Sequence, residues 1–142
     1  MAGTDSVLTD LTRGELETVL RAAADVALVV DSGGRILETF SGERLDSDLP
    51  GRWAGRNWND VVTPETRPKV GVLLDEGRSH GVSRFRQLNH PLPDGTEIPI
   101  GYTAVRIGDG SRLLAVGKDL QSLAQLQQQL VEAQRTMESE YW

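Results

Sequence analysis

The C-terminal stretch from Asp119 to Trp142 constrains this chain most, because it has the pattern of one long helix with a single apolar stripe. The stripe residues recur at alternating steps of three and four, and they are Leu123, Leu126, Leu130, Ala133 and Met137. We call these five residues the seam. A seam with this spacing packs against the same seam on a partner helix. Glutamines occupy many of the positions between seam residues, where they form helix well without adding core.

The two ends of this helix carry different signals. Asp119 is placed to cap the first turn by accepting hydrogen bonds from unpaired backbone N–H groups, and neither Gly nor Pro follows it. The last residues, Tyr141 and Trp142, carry no capping signal. We therefore expect the chain to be truncated within this helix.

Two interpretations of the helix are open. It could fold back onto its own domain, but a helix that lies on a globular core usually presents a broader apolar face than this seam. A dimerising helix fits the narrow stripe better. Roughly three heptads are marginal in isolation. We therefore expect a homodimer or higher homo-oligomer in which an upstream region also helps to hold the chains together.

Length and charge limit the classes to which this protein can belong. The 142 residues fit one domain of roughly a hundred residues plus the helix. We divide them into a disordered segment 1–10, a domain 11–117 and a linker helix 118–142. The formal net charge of −6 argues against a surface that binds nucleic acid, which needs clustered Lys and Arg, and against an anionic membrane as a partner. Arg84 and Arg86 are the closest arginine pair in a predicted strand, and we expect both to be solvated.

Cysteine is absent from the sequence. Disulfides, thiol catalysis and cysteine-based zinc sites are therefore excluded within this chain. No apolar run reaches the length of a membrane span, and the first ten residues lack the pattern of a signal peptide. These features predict a cytoplasmic protein.

A helix and a hairpin are predicted to open the domain. Thr12 to Glu15 has the capping-box pattern, in which the Thr hydroxyl and the Glu carboxylate each bind a backbone donor, and the helix is predicted to end near Ala24. Val26 to Val30 and Arg35 to Phe40 are predicted strands. Gly33 and Gly34 lie between them and permit the positive φ angles of a tight turn.

A helical crossover and three more strands are predicted to complete the domain. Residues 41–51 read as a polar loop or a broken helical turn. Pro64 is predicted to lie in the first turn of a helix that runs to about Glu76, with an exit loop over residues 77–81. Strands follow at 82–89, 97–107 and 111–116. The order predicts an α+β fold with a five-stranded antiparallel sheet and helices on one face.

This order of elements resembles a PAS domain. The resemblance rests on a strand, an Asp-x-x-Gly turn and a second strand, then on a segment with Gly and Trp that leads into a short helix. Its residues are Val29 to Ile36, Gly55 to Trp58, and Asp94 to Thr96. The exit from Gly117 to Leu120 resembles the point where a PAS sheet runs into a signalling helix. The resemblance implies that Gly117 and Asp119 form a signal-relay junction.

A narrower resemblance is to the PpsR/CrtJ family of photosynthesis regulators. It is carried by Leu88 to His90, Ile98 to Ile100, Gly117 to Leu120 and the glutamine-rich helix. The resemblance implies an N-terminal PAS-like domain with a glutamine-rich linker, while two further PAS domains and a DNA-binding helix-turn-helix would lie outside this chain. It also implies a repressor of genes for pigment synthesis and light harvesting under aerobic conditions, which an antirepressor protein can release.

Cofactor sites have weak support in the sequence, and we predict none. Gly55 to Trp58 resembles the motif of flavin-binding, light-sensing PAS domains, but Trp58 stands where that motif has its reactive cysteine. We expect Trp53 and Trp58 in the core. Haem would need an axial ligand such as histidine. His90 is the first candidate, ahead of His80 in a predicted loop, and its alternative is a turn residue whose ring hydrogen-bonds locally.

No catalytic or metal constellation is visible. Ser and His occur without a third orienting group, and the Asp-Gly pairs at 94 and 109 have turn chemistry. We predict a non-enzymatic oligomerisation and signal-relay module of a transcriptional regulator, in which the sheet sets the rotation or register of the linker helix. The alternative is a PAS sensor of a signalling protein, such as a histidine kinase or a cyclase, that binds a ligand or cofactor.

Overall fold

The computed structural model describes residues 11–42, 45 and 48–141. The segment 1–10, predicted to be disordered, and Trp142 lie outside these residues. The helices are α1 (Arg13–Ala23), α2 (Asp48–Gly51), a 3-10 helix (Trp58–Val61), α3 (Arg67–His80) and α4 (Leu120–Tyr141). The strands are β1 (Val26–Asp31), β2 (Ile36–Ser41), β3 (Arg86–Pro91), β4 (Glu97–Ile107) and β5 (Arg112–Asp119).

The five strands form one sheet in the order β2-β1-β5-β4-β3, and every neighbouring pair is antiparallel. The predicted α+β fold with a five-stranded antiparallel sheet is therefore confirmed. The β1–β2 turn forms where expected, although only Gly34 of its two glycines has a positive φ, at 89°. The carboxylate of Asp31 accepts hydrogen bonds from the amides of Gly33 and Arg35 and so fixes the turn.

The core lies between one face of the sheet and three helical elements, which are α2, the 3-10 helix and α3. Alternate residues of the inner strands point inward, as the period of two in a strand requires. The buried side chains of the core include Leu28, Ile36, Leu88, Ile100 and Leu113 from the sheet, with Leu49, Trp58, Val61, Val70 and Leu73 from α2, the 3-10 helix and α3. Neither α1 nor the described side chains of α4 contribute a buried residue. The predicted helical cover of one sheet face comes from the three middle elements.

The helix α3 begins and ends later than the sequence pattern predicts. Residues 63–66 form a turn, in which the amides of Thr66 and Arg67 both bind the carbonyl of Thr63, so the helix starts at Arg67. It continues through Gly77, which was predicted to begin the exit loop. A Cβ at Gly77 would lie 3.1 Å from a methyl group of Leu113, so this glycine serves close packing of α3 on the sheet. Gly81, with φ of 84°, ends the helix.

The strand β3 is shifted relative to the predicted range 82–89, because it begins at Arg86 and ends at Pro91, and its arginine is ion-paired. Residues 82–85 lie outside β3, where only Val82 bridges Val105. The guanidinium of Arg86 forms a two-pronged ion pair with the carboxylate of Glu76 on α3, at 3.0 and 3.1 Å. Its hydrogen bond lowers the pKa of Glu76. The expectation that both Arg84 and Arg86 are solvated was wrong for Arg86, because the sequence pattern cannot show that α3 brings a carboxylate to this strand.

One of the two hydrogen bonds predicted to cap α1 forms as expected, and the other has a different partner. The Thr12 hydroxyl oxygen accepts a hydrogen bond from the amide of Glu15 at 3.1 Å. The Glu15 carboxylate accepts from the Thr12 hydroxyl, whereas the pattern predicted that it would reach a backbone donor. An ion pair between Arg13 and Glu38 ties α1 to β2.

In the described part of the chain, no helix combines the length and the apolar composition that crossing a membrane requires.

Candidate functional site

The seam lies on a helix that extends away from the core. α4 has 22 residues, which corresponds to a rod of about 33 Å at 1.5 Å per residue. Its apolar side chains remain open to solvent: the exposed fractions are 50% for Leu123, 54% for Leu126, 63% for Leu130 and 60% for Met137. Ala133 is exposed as well. The structure therefore has the seam on one unpartnered helix and does not fold it back onto the sheet.

Asp119 caps α4, as the sequence predicts. Its Oδ1 accepts a hydrogen bond from the amide of Gln121 at 2.9 Å, at the second position of the helix. The backbone amide of Asp119 donates to Oδ2 of Asp25 at 2.7 Å. Asp119 is also the last residue of β5 and pairs with Ile100 of β4. One residue thus ends the sheet and starts the helix.

Gly117 lies two residues before the cap, where the sheet is packed too closely for a side chain. A Cβ at this position would lie 2.6 Å from Val26, 2.8 Å from Ile100 and 2.9 Å from Tyr102. These three neighbours belong to β1 and β4, on either side of β5. The predicted junction residues Gly117 and Asp119 are therefore held from both sides by the sheet.

A groove of about 290 Å³ lies beside the junction. One wall is the first two turns of α4 with Leu123 and Leu126, and the other carries Phe85. The Phe85 ring is 56% exposed and lies over Gly101 of β4, where a Cβ would meet the ring at 2.0 Å. The apolar surface of the seam therefore continues onto the body of the domain through Phe85, a residue that the sequence pattern did not single out.

His90 is a core residue, which corrects the expectation of a locally bonded turn histidine. It lies in β3 and is fully buried. Its Nδ1 lies 2.7 Å from the carbonyl oxygen of Val61, and its Nε2 lies 2.7 Å from the hydroxyl of Tyr102. A carbonyl only accepts hydrogen bonds, so Nδ1 carries the proton and Nε2 accepts from Tyr102.

Aromatic rings surround this histidine. Trp53 stacks on the imidazole, with ring centroids 4.0 Å apart and planes inclined by 13°. Trp58 meets the edge of Tyr102 at 5.2 Å. Both tryptophans are buried, which confirms their expected place in the core. We call Trp53, Trp58, His90 and Tyr102 the aromatic cluster.

Burial controls the ionisation of this cluster. The apolar surroundings lower the pKa of His90 from 6.5 to about 4, against the smaller opposing effect of the bond to the Val61 carbonyl. The same burial raises the pKa of Tyr102 well above its ordinary value. Both groups are neutral at pH 7, so the cluster is an uncharged, hydrogen-bonded part of the core.

The geometry of the candidate ligands does not fit a haem. Both ring nitrogens of His90 are engaged by protein groups, so neither is free to bind an iron. His80 is the last residue of α3, which corrects its predicted place in a loop, and it is exposed. Among the residues that the structure describes, no three His, Asp or Glu side chains come together as metal ligands would.

Comparison with solved structures agrees with this architecture, whereas no family model matches the chain. The PAS domain of an HTR-like protein from Haloarcula marismortui superposes with a TM-score of 0.54 and 21% identity, covering 75% of this chain and 95% of its own. A domain of a sensory box sensor histidine kinase/response regulator from Geobacter sulfurreducens superposes with a TM-score of 0.59 and 13% identity, covering 82% and 99%.

The chain has a PAS fold.

Sequence comparison adds a nearer relative of this PAS domain. Protein CrtJ of Rhodobacter capsulatus is 35% identical over an alignment of 133 residues, and the match covers 89% of this chain and 27% of CrtJ. The chain is thus a homologue of CrtJ, and the predicted resemblance to the PpsR/CrtJ family is confirmed. The chain corresponds to little more than a quarter of that relative's length.

Proposed function

We propose that this PAS domain is the oligomerisation and signal-relay module of a PAS-containing transcriptional repressor, and that two copies pair through the seam of α4. The observation that carries the proposal is the seam itself: Leu123, Leu126, Leu130 and Met137 are each at least half exposed on one helix. Apolar surface of this extent is stabilised by burial against a partner. A second copy supplies the same stripe, so a symmetric coiled coil buries both.

The groove beside Phe85 supports pairing near the base of α4. A partner helix that lies along Leu123 and Leu126 also covers the groove, so the body of the domain contributes apolar area to the contact. That contribution matters because about three heptads of coiled coil are marginal alone. We propose that residues 11–117 form the PAS-like domain and 118–142 the linker, although Lys118 and Asp119 still belong to β5 and the helix of the linker begins at Leu120, two residues later than predicted.

The relationship to CrtJ supports a proposal for the role of the whole protein. The PpsR/CrtJ resemblance implies a repressor of photosynthesis genes, with DNA binding by a helix-turn-helix outside this chain and release by an antirepressor protein. The acidic charge of this chain agrees with a part that does not contact DNA. We propose that it pairs the copies and passes a conformational signal from the sheet to the linker through Gly117 and Asp119.

The seam can be tested by charge substitution. Replacing Leu126 and Leu130 by Lys places four charges in the paired interface of a dimer, which is costly without counter-charges. We expect the double variant to be monomeric by light scattering at concentrations where the unmodified chain is dimeric.

The matched control is Gln125→Lys with Gln128→Lys, which adds the same charges to α4 outside the seam. This control should remain dimeric. A dimeric Leu126→Lys/Leu130→Lys variant would contradict pairing through the seam and point to the body of the domain instead.

A ligand-sensing function is the second candidate, and one observation favours it. Nε1 of the buried Trp58 has no hydrogen-bond acceptor among the described residues. A buried donor without a partner is uncommon, and a small molecule with an acceptor group would satisfy it. An absorbance spectrum and mass spectrometry of the freshly purified protein test this candidate: a flavin band, or a co-purified small molecule, would favour the sensor.

A further inference from the structure

The N-terminal helix α1 is held to the domain by few contacts. None of its residues is buried, and Leu16 and Val19 are 49% and 51% exposed. An ion pair from Arg13 to Glu38 holds its first turn. The ammonium of Lys118 donates to the carbonyl of Ala23 at its last turn. A helix held in this way opens more easily than the core elements.

The contact between Lys118 and the last turn of α1 lies next to the start of α4. Lys118, which binds the end of α1, is the residue before the cap Asp119. Asp25 follows the last turn of α1 and is 9% exposed. Its carboxylate accepts the amide of Asp119 at 2.7 Å, and its own amide donates to the carbonyl of Gly117 at 3.0 Å. The end of α1 and the cap of α4 therefore share bonding partners.

The end of α1 is closely packed around Asp25. The carbonyl of Asp25 accepts the amide of Gly42 at 2.8 Å. A Cβ at Gly42 would lie 2.3 Å from the carbonyl oxygen of Ala24, so the chain after β2 is pressed against the end of α1. Asp25 therefore lies between the end of α1 and the segment after β2, in contact with both.

We propose that α1 and α4 are coupled through Asp25 and Lys118, so that undocking of α1 loosens the cap of α4. The signal input to the linker is then the docking state of α1, as well as the sheet. This inference deepens the proposed relay function, but it acts within one chain and does not require pairing. Because coupling between two elements is reciprocal, loosening the cap of α4 also loosens the end of α1.

Residue-resolved amide hydrogen exchange by NMR tests the coupling. Glu17→Pro breaks α1 in its middle, away from the junction, and Glu17→Ala is the matched control that loses the same ion pairs but keeps the helix. We expect exchange at the amides of Asp119 and Gln121 to accelerate by roughly tenfold or more in Glu17→Pro, as for loss of a hydrogen bond to a charged group. The amide of Ala115 in the middle of β5 is the internal reference and should not change.

Substitutions at Asp25 identify the route. Asp25→Ala removes the acceptor and should accelerate exchange at Asp119 by a similar factor, while Asp25→Asn retains an oxygen and should lie between. In Asp25→Ala, adding Glu17→Pro should have little further effect on Asp119. Fully additive effects would overturn the proposed route. In the reverse direction, Asp119→Ala should accelerate exchange at the amide of Ala24, which binds Leu20 in the last turn of α1.

The proposal is overturned if α1 amides exchange freely in Glu17→Pro while Asp119 and Gln121 keep their rates. Should Glu17→Pro fail to fold, a chain that starts at Arg21 removes most of α1 and carries the same expectation. Repeating the comparison in Leu126→Lys/Leu130→Lys separates the two hypotheses, because pairing is measured by mass and coupling by exchange within one chain.

Discussion

His90 is held neutral by its surroundings, and this has a consequence for stability. A folded-state pKa of about 4 lies below the ordinary value of 6.5, so the unfolded chain binds a proton that the folded chain excludes between these values. The contribution of His90 to the free energy of unfolding is therefore fully present above pH 6.5 and is lost as the pH falls toward 4.

We expect the free energy of unfolding to fall by about 2 kcal/mol between pH 7 and pH 5 because of this residue. Denaturant titrations at the two pH values measure it. His80 is the only other histidine, so His80→Asn should show the same fall, while His90→Gln, although less stable, should show a smaller one. An equal fall in wild type and His90→Gln would contradict the buried, neutral histidine.

His90 also shows what a sequence can reveal of a single site. The sequence predicted a strand that ends at Asn89, one residue before His90, and burial of the His90 ring depends on Trp53, which stacks on it from a distant turn. Its hydrogen bond to Tyr102 depends on how β3 and β4 lie together. Neither contact has a local signal, since each joins residues more than ten positions apart. The cap at Asp119 was predictable because capping acts within one turn of the chain.

Gly117 makes β5 a closely packed strand between β1 and β4. Gly117→Ala would place a methyl group within 3.0 Å of three neighbouring side chains. We expect a loss of about 1–3 kcal/mol in the free energy of unfolding, as for other overpacked cores. Thermal and denaturant unfolding measure the change.

The matched control for Gly117 is Gly71→Ala within α3. No atom lies within 4 Å of a Cβ at Gly71. Alanine there should stabilise the helix by about 0.5–1 kcal/mol, because glycine loses more conformational entropy in a helix interior. A Gly117→Ala variant as stable as wild type would show that the junction is looser than its geometry indicates.

Elements were predictable where local pattern and tertiary packing agree. The hairpin of β1 and β2, the long strand β4 and the helix α4 all have a clear periodicity. The end of α3 was misplaced because glycine usually breaks helices, whereas Gly77 is required by the approach of Leu113. Residues 82–85 read as strand by composition, yet Phe85 leaves the ladder and lies over Gly101. In both places packing overrides local propensity.

A single copy of the protein leaves apolar surface exposed to solvent, and the proposed pairing buries it. Three features lie outside the buried core: the exposed seam, the groove beside Phe85 and the loosely held α1. The seam itself was visible in the sequence because it repeats along one helix. The groove was not visible in the sequence, because Phe85 and Leu126 are distant in the chain and line the same groove only in the folded structure.

Sedimentation equilibrium of the unmodified chain measures whether two copies pair through α4. One chain has a mass of 15.5 kDa. We expect a concentration-dependent mass that reaches at least twice this value in the high micromolar range, with the helical signal of α4 in circular dichroism rising together with the mass. A mass that stays at 15.5 kDa over that range would contradict pairing through α4 and, with it, the proposed role of this PAS domain.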